Sequence, residues 1–348
     1  MSIREKLTQT QTATATTLMQ LLQFANGLVV QQCIHAAAVL GVADLLKDGP
    51  LTAAELAKRV EVDEGALYRV LRLLAGHGIF EETAPRTFDN SELSYYLRAD
   101  VPGSLRAAFI FRGSSFFYSP FKEILYSVRT GLSARDKVHG MSGWEFLQQN
   151  PEEARIFDEA MTAMSEFVGP AVAAAYDFGA WGSLMDVGGG NGMLLATILR
   201  AHPMLRGVLA DQHHVIERAR ARDFLGGELA SRANYEECNF FESIPGGCRA
   251  YLMKNVIHDW DDEQARAILK NCRKAVPTDG VLLLVEYSLG EETKPSFADS
   301  VDVVMLVLTG GRERTEAEFR ELFTSSGFRL NRVLPTPAGV SIIEAMPG

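Results

Sequence analysis

Ser183-Leu-Met-Asp-Val-Gly-Gly-Gly-Asn-Gly192-Met193-Leu-Leu-Ala-Thr-Ile-Leu-Arg-Ala201 decides the fold. A short apolar run leads into four glycines within five residues. A stretch with helical spacing follows at once. Glycine adopts positive φ without steric penalty and lets a backbone approach a ligand closely. A strand, a glycine turn and a helix in that order are the entry unit of a doubly wound sheet, whose ligands sit at the carboxyl ends of the strands. A dinucleotide fingerprint would need its third glycine at Met193, and no Gly-Lys-Ser/Thr of a Walker turn follows. Asp186, just ahead of Gly188 and Gly190, disfavours a pyrophosphate and favours a ligand carrying ammonium and sulfonium charge. Asp211 ends the next apolar run, Gly207–Ala210, where a carboxylate can accept both ribose hydroxyls.

Downstream, the runs Ala250–Met253 and Val281–Glu286 alternate with helical stretches at 193–201, 214–222, 262–275 and 315–326. That alternation predicts an α/β domain with a mostly parallel, Rossmann-like sheet. Upstream, residues 104–180 read as mostly helical and rich in Phe, Tyr and Met. Asn150-Pro151 has the form of a helix start, cap then Pro at the first position. Before that, Thr52-Ala-Ala-Glu55 is a capping box and Asp63 a second helix cap. A small hairpin through Ile79–Phe88 completes a winged-helix pattern. Residues 18–46 read as two helices and residues 1–17 as a polar arm. The domains expected are 1–105, a winged-helix dimerisation module, and 106–348, with 106–180 as its helical, pocket-forming part. A length of 348 residues suits two domains.

Charge narrows the function. The net charge is −10, with the excess of acid confined to residues 151–348 (19 basic, 29 acidic). Residues 51–82 carry four basic side chains against six acidic, whereas phosphate contacts need a positive excess. A ligand-sensing DNA-binding regulator is therefore disfavoured, and no nucleic-acid partner is expected. Cys33, Cys238, Cys248 and Cys272 form no C-x-x-C pair and read as free thiols of a reducing compartment. The first residues lack a secretory pattern, and the longest apolar runs fall far short of ~20 residues. A cytoplasmic protein without a membrane partner is expected.

Tyr251-Leu-Met-Lys254-Asn-Val-Ile-His258-Asp-Trp-Asp-Asp262 carries the chemistry. A strand ends at Lys254, and His258 follows a short link later, on the ligand edge of the sheet. Val281–Val285 delivers Glu286 to the same edge. Glu313 lies in Gly310-Gly-Arg-Glu-Arg-Thr315, just before another capping box. A histidine near neutrality with two carboxylates at hand suits general-base work. Phe157, Met161, Met164 and Met305 are candidate walls for a flat acceptor, since Met adapts to aromatic ligands.

Together these motifs resemble S-adenosylmethionine-dependent small-molecule O-methyltransferases of the plant caffeate and bacterial polyketide type, over nearly the whole chain. The resemblance implies methyl transfer from S-adenosylmethionine to a hydroxyl of an aromatic small molecule, without a metal. It also implies a homodimer exchanged through the N-terminal domain. It makes His258 the base and Glu286 and Glu313 the carboxylates that orient it. Asp186, Gly188, Gly190, Asp211 and Lys254 become cofactor contacts. The family usually has Gly-Asp-Met/Phe-Phe where this chain has Cys238-Asn-Phe-Phe241. Asn239 then keeps a carbonyl acceptor for the adenine amino group, and Phe240 can pack on the adenine face. Gln212-His213-His214 departs from the usual Leu-Pro. A same-fold enzyme that hydroxylates or decarboxylates instead remains the alternative.

Overall fold

The computed structural model describes residues 17–290 and 296–348. All but the last residue of the expected polar arm at 1–17 lies outside them. The chain forms two compact units that divide between Gly113 and Ser114.

In the N-terminal unit, residues 17–25 are helical and a second helix runs Gly27–Val39. Strand β1 (Leu51–Thr52) precedes helix Ala53–Val60, which the Thr52/Glu55 capping box opens. Asp63 caps helix Glu64–Gly76 through the Ala66 N–H. Strands β2 (Phe80–Ala84) and β3 (Thr87–Asn90) make the hairpin, and β1 pairs with β3. Leu56, Leu67, Leu71, Leu74, Phe80 and Phe88 form its core. The unit reaches past the expected boundary at 105/106, because helix Arg106–Gly113 packs on Gly27–Val39. Arg106 donates to the Ala38 carbonyl and pairs with Asp44 at 3.0 Å. A Cβ on Gly113 would lie 2.0 Å from the His35 ring, so glycine is what permits the approach.

The second unit begins with short helices and then the 25-residue helix Pro151–Ala175. Its N-terminus departs from the expected cap. The Asn150 side chain donates back to the Phe146 carbonyl, and Pro151 alone marks the start. The main sheet contains β4 (Ser183–Val187), β5 (Arg206–Asp211), β6 (Ala233–Glu237), β7 (Ala250–Lys254) and β8 (Val281–Glu286). A two-stranded parallel pair joins β9 (Ser288–Leu289) to β10 (Arg314–Thr315). Strands β11 (Phe328–Pro335) and β12 (Ser341–Pro347) complete the main sheet in the order β11-β12-β8-β7-β4-β5-β6. β12 runs antiparallel to both neighbours and the other pairs are parallel. Every residue of β8 is buried, as expected where helices cover both faces. Apolar clusters fill the two sides, one around Leu184, Leu195 and Leu209, the other around Met185, Ile268 and Phe323.

From β4 the chain winds outward through β5 and β6, then returns to β7 and β8 on the other flank. The strand order reverses at β4, which opens a crevice at the carboxyl ends. Because these strands are parallel, the ends of β4, β5, β7 and β8 share one edge. No helix among the described residues is long and apolar enough to cross a membrane.

Candidate functional site

The crevice edge gathers the glycine turn and its carboxylates. Gly188 and Gly190 have φ of +71° and +59°. The Gly190 N–H donates to Asp211 Oδ2 at 2.9 Å, and the Gln212 N–H donates to Oδ1 at 2.7 Å. Each Asp211 oxygen thus keeps a lone pair for a ribose hydroxyl. A Cβ at Gly188 would fall 2.9 Å from Val256 and 3.7 Å from the Phe240 ring, so three elements converge there. The turn is anchored from the side by Asn191, whose amide donates to Thr162 Oγ1 of the long helix at 3.0 Å.

Asp186 is 1% exposed and lies directly beneath Gly189. Neither of its oxygens has a partner among the described residues. Burial pushes its carboxyl up to about 7, with Lys254 opposing the rise and Asp211 adding to it. Burial likewise lowers the Lys254 ammonium, against Asp186, Glu286 and Asp259. An orphaned buried carboxylate beside an open glycine turn, with a ribose-ready Asp211, fits a nucleoside that brings its own positive charge.

Asn239 is exposed. Its Oδ1 accepts from the Phe241 N–H and its Nδ2 donates to Glu242, so its carbonyl serves the local turn as well as any ligand. Phe240 is half-buried, edge-on to Trp260 at 6.1 Å.

His258 sits on a single helical turn, Ile257–Asp259, and is 6% exposed. Its Nδ1 lies 2.6 Å from Glu313 Oε1 and 3.6 Å from Glu286 Oε2. The sequence left open which glutamate takes the ring, and the geometry assigns the hydrogen bond to Glu313. The other Glu286 oxygen accepts the Val256 and Ile257 N–H groups at 3.1 and 3.0 Å, which ties the turn to the end of β8. The ring's Nε2 makes no hydrogen bond among the described residues; its nearest carboxylate is Asp259, at 3.9 Å.

The expectation of a resting neutral imidazole needs correction. Burial opposes the imidazolium, but Glu286, the hydrogen bond and charge of Glu313, and Asp259 outweigh it. They lift His258 to about 9. Both carboxylates are buried on the Nδ1 side of the ring and favour its protonated form, and burial in turn raises Glu286, against the pull of His258.

Three supports of this turn carried no role in the sequence reading. Arg314, 1% exposed, donates to the Ile257 and Trp260 carbonyls and pairs with Asp262 at 2.9 Å. Gly311 lies so close that a Cβ would sit 2.1 Å from the His258 carbonyl oxygen, which accepts the Arg312 N–H. Asp302 accepts the Glu313 N–H at 2.8 Å. Arg314 and Gly311 belong to the Gly310–Thr315 motif, which docks on the turn beside the β9–β10 pair, and Asp302 meets it from the helix Phe297–Leu308, contacts that spacing alone does not show. Among the described residues, His258, Glu286 and Glu313 are also the one group whose ligand atoms could gather round a metal ion, within 4.8 Å of one another.

Of the expected pocket residues, Phe157 faces Phe116 at 6.5 Å and Trp144 at 6.0 Å. Met161 and Met164 are half-buried on the same helix. Met305 is half-buried against the apolar cluster that contains Leu184, Leu195 and Leu209.

Residues 121–329 match the O-methyltransferase domain family and residues 22–100 the O-methyltransferase dimerisation domain family. The chain is 41% identical to the phenazine O-methyltransferase PhzM of Lysobacter antibioticus, over 94% of this chain and 95% of that protein. It is 38% identical to a mitomycin biosynthesis 6-O-methyltransferase of Streptomyces lavendulae, over 90% of each. Among solved structures it is similar to NcsB1, an O-methyltransferase from neocarzinostatin biosynthesis in complex with S-adenosylmethionine and 2-hydroxy-5-methyl naphthoic acid. There the TM-score is 0.77 and the identity 34%, covering 91% of this chain and 96% of that one.

Proposed function

We propose, for a chain that belongs to the S-adenosylmethionine-dependent O-methyltransferase family, that His258 takes the proton from an aromatic hydroxyl and that no metal takes part. One observation carries this reading: Nδ1 is engaged by Glu313 at 2.6 Å while Nε2 makes no hydrogen bond among the described residues. S-adenosylmethionine, when bound, supplies an electrophilic methyl on a sulfonium. Asp211 would hold its ribose, the Gly188–Gly190 turn would admit its backbone-facing side, and Phe240 would cover its base. Asp186 and Lys254 would meet its charged tail.

The acceptor hydroxyl donates to Nε2. As its proton crosses, Nδ1–H stays donated to Glu313, and Glu286 stabilises the imidazolium by charge. A phenol titrates near ~10, so a base of about 9 is closely matched to it. General-base help of this kind contributes roughly 10²–10⁴-fold. The cost is that the ring must first lose the proton it holds at neutral pH.

The acceptor is taken to be a flat hydroxyarene of secondary metabolism, a class consistent with what the named relatives act on. The protein is taken to act as a homodimer through its N-terminal unit. Leu18, Leu21, Leu22 and Phe24 of the 17–25 helix are all exposed, an apolar face suited to a second copy.

The test incubates the enzyme with S-adenosylmethionine and hydroxyarenes in the presence of EDTA. A product heavier by one methylene, with S-adenosylhomocysteine released, supports the reading. Added oxygen or lost carbon dioxide in the product would replace it with hydroxylation or decarboxylation, and loss of activity on chelation would remove the metal-free part. His258→Ala should bind S-adenosylhomocysteine normally and turn over at least a hundredfold more slowly; unchanged turnover would remove His258 from the chemistry.

A further inference from the structure

Beside the reacting edge lies a buried cation that the proton-transfer chemistry leaves unused. Arg135 belongs to the short helix Ala134–His139 and is 5% exposed. Its guanidinium lies over the Phe116 ring, 4.7 Å from the centroid, and against the Cα of Gly143. A Cβ at Gly143 would come within 2.3–2.4 Å of Arg135 Cζ, Nε and Nη2, so glycine makes room for this side chain. Its Nε has no hydrogen-bond partner, and no carboxylate pairs with it among the described residues. Burial lowers its pKa, with Asp259 and then Asp136 opposing that from beyond pairing distance. Asp136 is itself occupied by the Gly143 N–H.

The surroundings are aromatic and short of acceptors. His139 and Phe116 stack at 5.8 Å, and His139 lies 4.0 Å from Phe146. Phe157 and Trp144 continue the wall to Trp260, 6.5 Å beyond Trp144 and two residues from His258. His139 Nε2 and Trp260 Nε1 are, like Arg135 Nε, buried without a partner. Burial lowers the His139 imidazole, with Arg135 adding to the fall and Asp136 opposing it. Trp Nε1 and Arg Nε can only donate. Buried donors of this kind are costly unless something accepts from them. Asp259 links the two halves, since it faces His258 Nε2 at 3.9 Å and also attracts Arg135.

We propose that the acceptor is an aromatic hydroxy acid, flat enough to lie along this wall, and that Arg135 receives its carboxylate. The proposal deepens the methyl-transfer reading and rests on it. Arg135 is a specificity residue here, placed to hold the acid while the hydroxyl meets His258. A neutral phenol offers Arg135 Nε no charged acceptor, whereas a carboxylate offers the guanidinium charge-assisted, bidentate hydrogen bonds.

The test uses the full chain saturated with S-adenosylhomocysteine. It measures calorimetric binding of 3-hydroxy-2-naphthoate, its methyl ester and 2-naphthol to the wild type and to Arg135→Gln and Arg135→Lys. The wild type should bind the acid ten- to a hundredfold more tightly than the ester. Arg135→Gln should lose that difference while holding the ester as before, and Arg135→Lys should keep part of it. A wild-type preference below tenfold overturns the proposal, as does a Gln variant that weakens acid and ester alike, or no binding of the acid. Normal uptake of S-adenosylhomocysteine by the variants reports that they are folded. Methylation of ester and naphthol as readily as of the acid would sink the carboxylate site and leave methyl transfer standing. Tight binding of the acid with no methyl ever transferred to any probe would do the reverse.

Discussion

Replacing Glu313 by Gln removes one charge from the buried triad and keeps its shape. In the wild type two carboxylates that are 0–1% exposed face the same ring nitrogen, with Nδ1 2.6 Å from Glu313 and 3.6 Å from Glu286. A hydrogen bond to a charged group is worth about 1.5–3 kcal/mol. At ~1.4 kcal/mol per pH decade, its loss should bring His258 from about 9 down to about 7–8. The ring is then about half neutral near pH 7.5 but is a weaker base for a hydroxyl near 10. Turnover of Glu313→Gln should therefore fall by roughly ten- to a hundredfold above pH 9, and by less at pH 7, where more of its base is available. The direct readout is the ¹³Cε1 shift of labelled histidine from pH 5.5 to 10.5 in the ligand-free enzyme, with His258→Ala assigning the signal among seven histidines. A wild-type midpoint at the ordinary 6.5, or a midpoint that Glu313→Gln fails to move, would refute the triad as the source of the ring's basicity.

Three other outcomes follow from the same edge. Asp186→Asn removes an orphaned buried charge, so the ligand-free protein should melt at the same temperature or higher while S-adenosylmethionine binds about 10- to 100-fold more weakly. Unchanged affinity by calorimetry would mean that Asp186 does not face the ligand. Arg314→Met strips the carbonyls of Ile257 and Trp260 of their donor and should cost about 3 kcal/mol or more in urea unfolding. Its kcat should drop with little change in S-adenosylhomocysteine affinity; equal kcat would show that the turn holds its shape without the arginine. Stability should also depend on pH through His258. Its folded pKa of about 9 exceeds the unfolded 6.5, so the contribution is complete below 6.5 and is lost as pH rises through 9. That amounts to on the order of 3 kcal/mol. Urea midpoints of the ligand-free enzyme should decline from pH 7 to 9, and a His258→Gln variant showing the same decline would assign it elsewhere.

Much of this architecture was legible because local signals and tertiary demands agree. The helices Met193–Ala201 and Asp262–Ala275 lie where their spacing places them, and Thr52 and Thr315 cap as their boxes predict. Strands β6, β11 and β12 were not read, since Asn234-Tyr-Glu-Glu237 and the charged residues of β11 lack an uninterrupted apolar run. β6 and β11 are the edge strands, and their exposed positions tolerate polar side chains, whereas β12 is mostly buried between β11 and β8. Glu313 and the roles of all three site residues came from the Gly310–Thr315 motif and the family resemblance, while Glu286 could be named from its place at a strand end and His258 from the short link after another. The division of labour between Glu286 and Glu313 could not, because it depends on the β9–β10 pair bringing residues 288 and 314 into register. The charge state of His258 was misjudged for the same reason: a reference value describes an isolated ring, not one that two buried carboxylates face. Arg135 was invisible in the sequence because nothing local distinguishes a buried arginine from a solvated one.

The position of β12 has a bearing on biosynthesis. It covers the flank of β8 that would otherwise be bare, with Ser341 opposite Glu286. A ribosome that stalled or stopped between Glu313 and Ser341 would release a chain whose Val281-Leu-Leu-Leu-Val-Glu286 segment had an open side, apolar on both faces. Such an edge pairs readily with its like. Late nonsense codons in this reading frame should therefore yield insoluble protein rather than a weakened enzyme, although every residue that touches the proton lies well upstream.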